Sequence, residues 1–160
     1  MSSVPATTVV DQVRRAVASV DDPEYPGVSI ADLGLVETIE VEDGSDGPVA
    51  VVGLIPTFSG CPALDMIATD VQHAVTALTD VRDCDVRWLS GPVWSTARMS
   101  PAATASLADQ YTVVLRRKDG GLRCPVCGSD DVAVQSDAGP TRCRAIAWCA
   151  SCRNPVEVMR

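Results

Sequence analysis

Pro56-Thr57-Phe58-Ser59-Gly60-Cys61-Pro62-Ala63 stands between two segments of opposite character. Before it, Val49 to Ile55 is an apolar run of strand length. After it, Leu64, Ile67, Val71, Val75 and Leu78 recur at helical spacing, with Asp65, Thr69, Asp70, Gln72 and Thr76 mostly elsewhere. The run reads as a buried strand, the periodic segment as a helix with one face on a sheet, and the eight residues between as a strand-to-helix turn. Proline suits a first helical turn because its missing N–H would have no intrahelical partner there, which places Cys61 at the N-cap. At that point free N–H groups and the positive end of the helix dipole favour a thiolate. The competing reading makes Cys61 a small side chain that fills a tight turn, the commoner lot of an isolated cysteine.

The rest of a small domain assembles around this turn. Leu35 to Val41 reads as the strand paired with Val49 to Ile55, because Asp43-Gly44-Ser45-Asp46-Gly47 between them has hairpin-turn composition. Upstream, Val10, Val13, Val17 and Val20 predict a helix over residues 9–20, opened by a capping box of Thr8 and Asp11. Two prolines and a glycine in Asp21 to Gly27 stop it. Ser29 to Gly34 is a tight connection in which Asp32 fixes the turn with its side chain. Downstream, Cys84, Val86 and Trp88 alternate with Asp85 and Arg87, a strand with one buried side in which Cys84 is a small core hydrophobe. The prediction is an α/β fold, a two-layer α-β-β-α-β domain over residues 1–97.

A helical linker follows over residues 98–121: Ser100-Pro101 is an N-cap followed by proline at the first helical position, and the alanine-rich helix runs to about Gln110. Tyr111 to Leu115 reads as extended and Arg116 to Gly121 as an exposed turn. In residues 122–160, Cys124-Pro125-Val126-Cys127 and Cys149-Ala150-Ser151-Cys152 form two C-x-x-C units 21 residues apart. Each such unit can aim two thiolates at one point, and two units complete a tetrahedral site for zinc, so the segment is predicted to be a four-cysteine zinc ribbon. Metal binding would supply much of its folding free energy, about 10 kcal/mol or more in zinc-finger peptides. An iron–sulfur cluster on the same ligands and a redox dithiol pair are the alternatives. Cys143, a fifth thiol, reads as a packing residue, with a spare ligand or reactive thiol as the other options.

Charge and composition exclude several functions. Residues 1–85 carry a net −12 and residues 86–160 a net +4, so the first domain lacks the basic surface that phosphate contact requires and nucleic acid is not an expected partner. The basic half could dock on an acidic protein. The sequence shows no membrane-span run or secretory pattern, and its clustered, odd-numbered cysteines suit a metal in a reducing compartment, so the expectation is a cytoplasmic protein without a membrane partner. His73, the single histidine, stands about 18 Å from Cys61 along a helix at about 1.5 Å per residue, too far for a Cys–His couple. No phosphate-binding glycine motif or catalytic constellation occurs, and the expectation is that the chain is not an enzyme. Trp88, Trp94 and Trp148 read as packing residues.

Asp22-Pro23-Glu24, Ser29-Ile30, Asp32-Leu33-Gly34-Leu35-Val36 and the Pro56–Ala63 stretch together resemble the signature of the SufT-like iron–sulfur cluster assembly family over about residues 9–90. Trp94-Ser95-Thr96, the paired C-x-x-C units and Thr141-Arg142-Cys143-Arg144-Ala145 resemble its zinc-ribbon branch, that of the D subunit of phenylacetyl-CoA epoxidase (PaaD). The resemblance implies an accessory role in iron–sulfur or metal-centre assembly for a multicomponent oxygenase. Its partners would be client oxygenase or reductase subunits, and self-association is left open. Cys61 matches the family's motif cysteine and Asp32 the acid of its D-L-G motif, so these two are the candidates for transfer of a transient iron–sulfur cluster. Zinc would be held by Cys124, Cys127, Cys149 and Cys152. A structural or regulatory subunit that docks through the ribbon is the alternative.

Overall fold

The computed structural model describes residues 8–159. They fall into two compact units, one drawn from residues 8–55 and 62–93, the other from residues 56–61 and 94–159.

The first unit is the expected two-layer α/β arrangement. Helix α1 (Val9–Ala18) starts at a full capping box: Thr8 Oγ1 accepts from the Asp11 N–H, and the Asp11 carboxylate accepts from the Thr8 N–H. The Thr8 hydroxyl and amide hold the Asp11 carboxyl below its ordinary value. Strands β1 (Asp21–Asp22) and β2 (Tyr25–Ser29) follow as a small antiparallel pair where turn composition alone was legible. Side chains build it: Asp22 Oδ1 accepts from the Glu24 N–H at 2.8 Å and Asp21 Oδ2 from the Gly27 N–H at 2.8 Å. Gly27 sits at φ 88°, which suits glycine.

The main sheet has the order β3-β4-β5, with β3 (Val36–Gly44) antiparallel to β4 (Gly47–Leu54) and β4 parallel to β5 (Asp83–Trp88). The β3–β4 hairpin is tighter than its composition suggested, with Gly44 opposite Gly47 and only Ser45 and Asp46 between. Every residue of β4 from Ala50 to Leu54 is buried, which explains its continuous apolar run. The β4–β5 crossover carries α2 (Leu64–Thr76), which buries Ile67, Val71 and Val75 and packs on β5 and α1. Cys84 is 4% exposed, the core residue expected; burial pushes its thiol up to about 11, with Asp83 and Asp85 adding to the effect.

In the second unit, Ser100 caps α3 (Pro101–Gln110) by accepting from the Ala103 N–H, with Pro101 in the first turn, as the sequence indicates. The sheet has the order β6-β9-β8-β7, from β6 (Val113–Val114), β7 (Val132–Ser136), β8 (Arg144–Cys149) and β9 (Pro155–Met159). β7, β8 and β9 form an antiparallel meander, and the expected extended stretch at 111–115 contributes β6, parallel to β9. Val114, Leu122, Ala145, Ala147, Val156 and Val158 make its core with the buried thiols Cys124 and Cys149.

Candidate functional site

Two knuckles with the same backbone pattern hold the C-x-x-C pairs. In the first, the Cys124 N–H donates to Ser129 O (2.8 Å) and the Gly128 N–H to Cys124 O (2.9 Å). In the second, the Cys149 N–H donates to Asn154 O (3.0 Å) and the Arg153 N–H to Cys149 O (2.9 Å). Each needs a left-handed residue four places after its first cysteine, Gly128 at φ 74° and Arg153 at φ 59°. The knuckles are tied together by the Ser129 and Ser151 hydroxyls at 2.7 Å and by the Ala150 N–H on Asp131 O at 3.0 Å.

This framing brings the four sulfur atoms of Cys124, Cys127, Cys149 and Cys152 within 4.8 Å of one another. Cys124 Sγ stands 3.6 Å from Cys152 Sγ, and Cys127 Sγ 3.6 Å from Cys149 Sγ. Thiolates around a tetrahedral ion with bonds of about 2.3 Å stand about 3.8 Å apart, so the tetrad fits a four-coordinate soft metal. As thiols they pair through these S–H···S contacts. Cys152 is pushed down to about 6, first by the Asn154 side chain and further by the neighbouring thiols, against desolvation. Cys127 is pushed up to about 11: the Ser129 amide pulls it down, but desolvation and the other three thiols override it. Cys152 and Cys127 are thus pushed in opposite directions, and a bound cation would displace whatever protons the tetrad retains. Cys143 stands outside the tetrad; it is buried, with its Sγ 3.1 Å from Thr141 Oγ1.

The transfer candidates lie elsewhere. Asp32 is exposed, and its turn is built reciprocally: Ser29 Oγ donates to Asp32 Oδ2 and accepts from the Asp32 N–H, both at 3.0 Å. Gly34 follows at φ 76°. Cys61 is partly exposed, and its N–H closes a turn on Phe58 O at 3.2 Å. It is not an N-cap. Helix α2 begins at Leu64 with Ala63 in the cap position, without a side-chain hydrogen bond. The physical reason is that Pro62 and Ala63 are spent on a turn ahead of the helix, so proline does not occupy the first helical position. The expected dipole assistance to Cys61 loses its basis. The turn instead groups with the C-terminal unit, where the Arg142 Nη1 stands 3.8 Å from the position a Gly60 Cβ would take. Asp32 belongs to the other unit. His73 is exposed near the end of α2. The hydroxyl tie between knuckles, the left-handed Arg153 and the approach of Arg142 to the Cys61 turn were missed; only the first had a sequence cue, Ser129 shortly after the first C-x-x-C pair and Ser151 within the second.

Residues 10–88 match the profile of the iron–sulfur cluster assembly protein family, and residues 108–160 that of the PaaD zinc beta ribbon domain. A Bacillus subtilis Fe–S protein maturation auxiliary factor is 32% identical over 62% of this chain and 94% of its own length. The chain belongs to the iron–sulfur cluster assembly family. Among relatives of that family, a Porphyromonas gingivalis Fe–S protein maturation auxiliary factor is 34% identical, over 61% of this chain and 89% of its own. The Escherichia coli protein named as the D subunit of 1,2-phenylacetyl-CoA epoxidase extends across both units, 29% identical over 94% of this chain and 92% of its own. A solved Bacillus anthracis domain of unknown function has a TM-score of 0.55 at 30% identity, covering 63% of this chain and 92% of its own. These relatives place the α/β unit in an assembly family and the tetrad in a metal-binding ribbon. No helix among the described residues is long and apolar enough to cross a membrane.

Proposed function

We propose that this chain is a non-catalytic maturation factor for the metal centre of a multicomponent oxygenase, with a phenylacetyl-CoA ring epoxidase as its client. The observation that carries the reading is the joining of an assembly-family unit and a four-cysteine ribbon in one chain, in a likeness that spans nearly all of the Escherichia coli epoxidase relative. Zinc is the resident metal, held by Cys124, Cys127, Cys149 and Cys152; four thiolates in a closed shell suit a structural role, and the ion would secure the knuckles. All seven cysteines are free, as thiols kept reduced in the cytoplasm would be.

Cys61 is the transfer point and Asp32 its accompanying family acid. An iron or cluster cargo would be passed by ligand exchange: a Cys61 Sγ–iron bond forms as a donor ligand departs, and the thiol proton goes to solvent. The reverse exchange delivers the cargo to the client and returns a proton to Cys61. No electron changes hands. The test is to co-express Cys61→Ser with the client and measure client iron and labile sulfide. The expected result is a folded, zinc-loaded variant with an under-loaded client; a fully loaded client refutes the transfer role.

A second reading makes the chain a structural or regulatory subunit. It is favoured by two large apolar side chains left exposed on the ribbon, Val126 at 58% and Trp148 at 39%. On that reading Cys61→Ser is silent, while Cys124→Ser, which breaks the tetrad, abolishes client binding.

A further inference from the structure

The turn carrying Cys61 and a ribbon loop face each other across an open cleft of about 360 Å³. Phe58 supplies one wall, and Gly139, Pro140, Thr141 and Arg142 line the other together with Asp137 and Ala138. Both walls are fixed by their own backbone. Ser136 Oγ donates to Ala138 O at 3.0 Å and accepts from the Ala138 N–H at 3.1 Å. Gly139 lies so close to β8 that a Cβ there would stand 2.5 Å from the Arg144 carbonyl oxygen. On the other side, the Cys61 N–H on Phe58 O closes the turn.

Most of the lining is apolar, yet Arg142 brings a guanidinium to it, reaching over Gly60. Asp137, in the same wall, has an interaction of its own, whereas no carboxylate among the described residues pairs with Arg142. A site for a small anion would converge several donors on one point inside an enclosure. This cleft offers a single cation, an aromatic face and an open mouth, which suits alternating side chains of an extended peptide.

We propose that the cleft seats an acidic segment of a partner protein, one carboxylate on the Arg142 guanidinium and an adjoining apolar side chain between Phe58 and Pro140. The segment would then lie alongside the Cys61 turn. That the partner is the client receiving cargo rests on the function proposed above; the chemistry of the cleft does not.

The probe is a fluorescein-labelled hexapeptide of alternating leucine and glutamate, titrated with the full metal-loaded chain and read by anisotropy, with a leucine–lysine hexapeptide as its counterpart. Saturable binding of the acidic peptide alone is expected, weakened about tenfold by Arg142→Gln, since a charged hydrogen bond is lost. Phe58→Leu should weaken it about fivefold, and Arg116→Gln, at an exposed position that does not line the cleft, should leave it unchanged. Absence of saturable binding, equal binding of the lysine peptide, or indifference to Arg142→Gln overturns the proposal. So does displacement of the peptide by an equal concentration of succinate, which would mark a small-anion site. Peptide binding that survives in Cys61→Ser while client loading is normal would sink the transfer reading and leave the docking site standing.

Discussion

The two knuckles differ in one respect that can be measured: where the first has glycine at its left-handed position, the second has Arg153 at φ 59°. A residue with a Cβ loses about 1–2 kcal/mol in that conformation. Glycine avoids this but gives back about 0.5–1 kcal/mol through the freedom of the unfolded chain. Arg153 is exposed and makes no ion pair among the described residues, so its removal costs little contact. Its charge near a thiolate tetrad is a confounder, which the comparison of Arg153→Gly with Arg153→Ala removes, because both lose the guanidinium. The glycine variant should be more stable than the alanine variant by about 0.5–1 kcal/mol. Since the ribbon's folding and metal binding are linked, that difference should appear as about two- to fivefold tighter zinc binding in competition with a chromophoric chelator. Gly128→Ala should move affinity the other way. A Cβ there would meet only the Arg123 guanidinium, at an ordinary 3.7 Å, so any loss is conformational rather than steric. If the glycine variant at 153 binds zinc no more tightly than the alanine variant, the equivalence of the knuckles is not what sets the ribbon's stability.

Gly53→Ala should destabilise the α/β unit by about 1–3 kcal/mol through overpacking, because the new Cβ would clash with Thr38 Oγ1 and fall 2.9 Å from Leu89 Cδ1; urea unfolding monitored on α1 and α2 checks it. The Cys84 thiol, raised from its ordinary 9 to about 11, stabilises the fold while it stays neutral, so stability should be full below pH 9 and fall as pH rises towards 11. Cys84→Ala should flatten that alkaline limb in thermal melts. In the metal-loaded protein at pH 8, mass spectrometry after brief iodoacetamide treatment should find Cys61 alkylated and Cys84 untouched, the latter being buried and almost wholly protonated. Chelation of the metal at neutral pH should abolish amide protection in β7, β8 and β9 but spare β4 and α2, whose core is built from Val52, Leu54, Ile67 and Val71 without any tetrad residue.

What could be read in advance divides along the range of the forces involved. The α-β-β-α-β order and the tetrad were legible because their signals are local and redundant: of the apolar residues at helical spacing, Ile67, Val71 and Val75 form the buried face of α2, and a paired C-x-x-C leaves few alternatives for four thiols. The β1–β2 pair was not, since only two residues form its first strand and Asp21 and Asp22, whose side chains also brace it, are reported by composition as turn formers. The start of α2 failed for a related reason. Proline after Cys61 is compatible both with a first helical turn and with a turn that precedes it, and Ala63, which offers no capping oxygen, does not reveal which one the chain takes. That two-residue shift alters the chemistry assigned to Cys61 more than any other difference. A thiol at a helix N-cap would draw on the helix dipole; Cys61 instead sits in a turn closed on Phe58 O, next to Gly60, which Arg142 approaches from 82 residues further on, at the end of a loop in which Gly139 lies against β8. The motif around Cys61 is thus local in sequence while its turn groups with the C-terminal unit and shares a cleft with the 137–142 loop through Phe58, so variants in that loop test the surroundings of the turn without altering the motif itself.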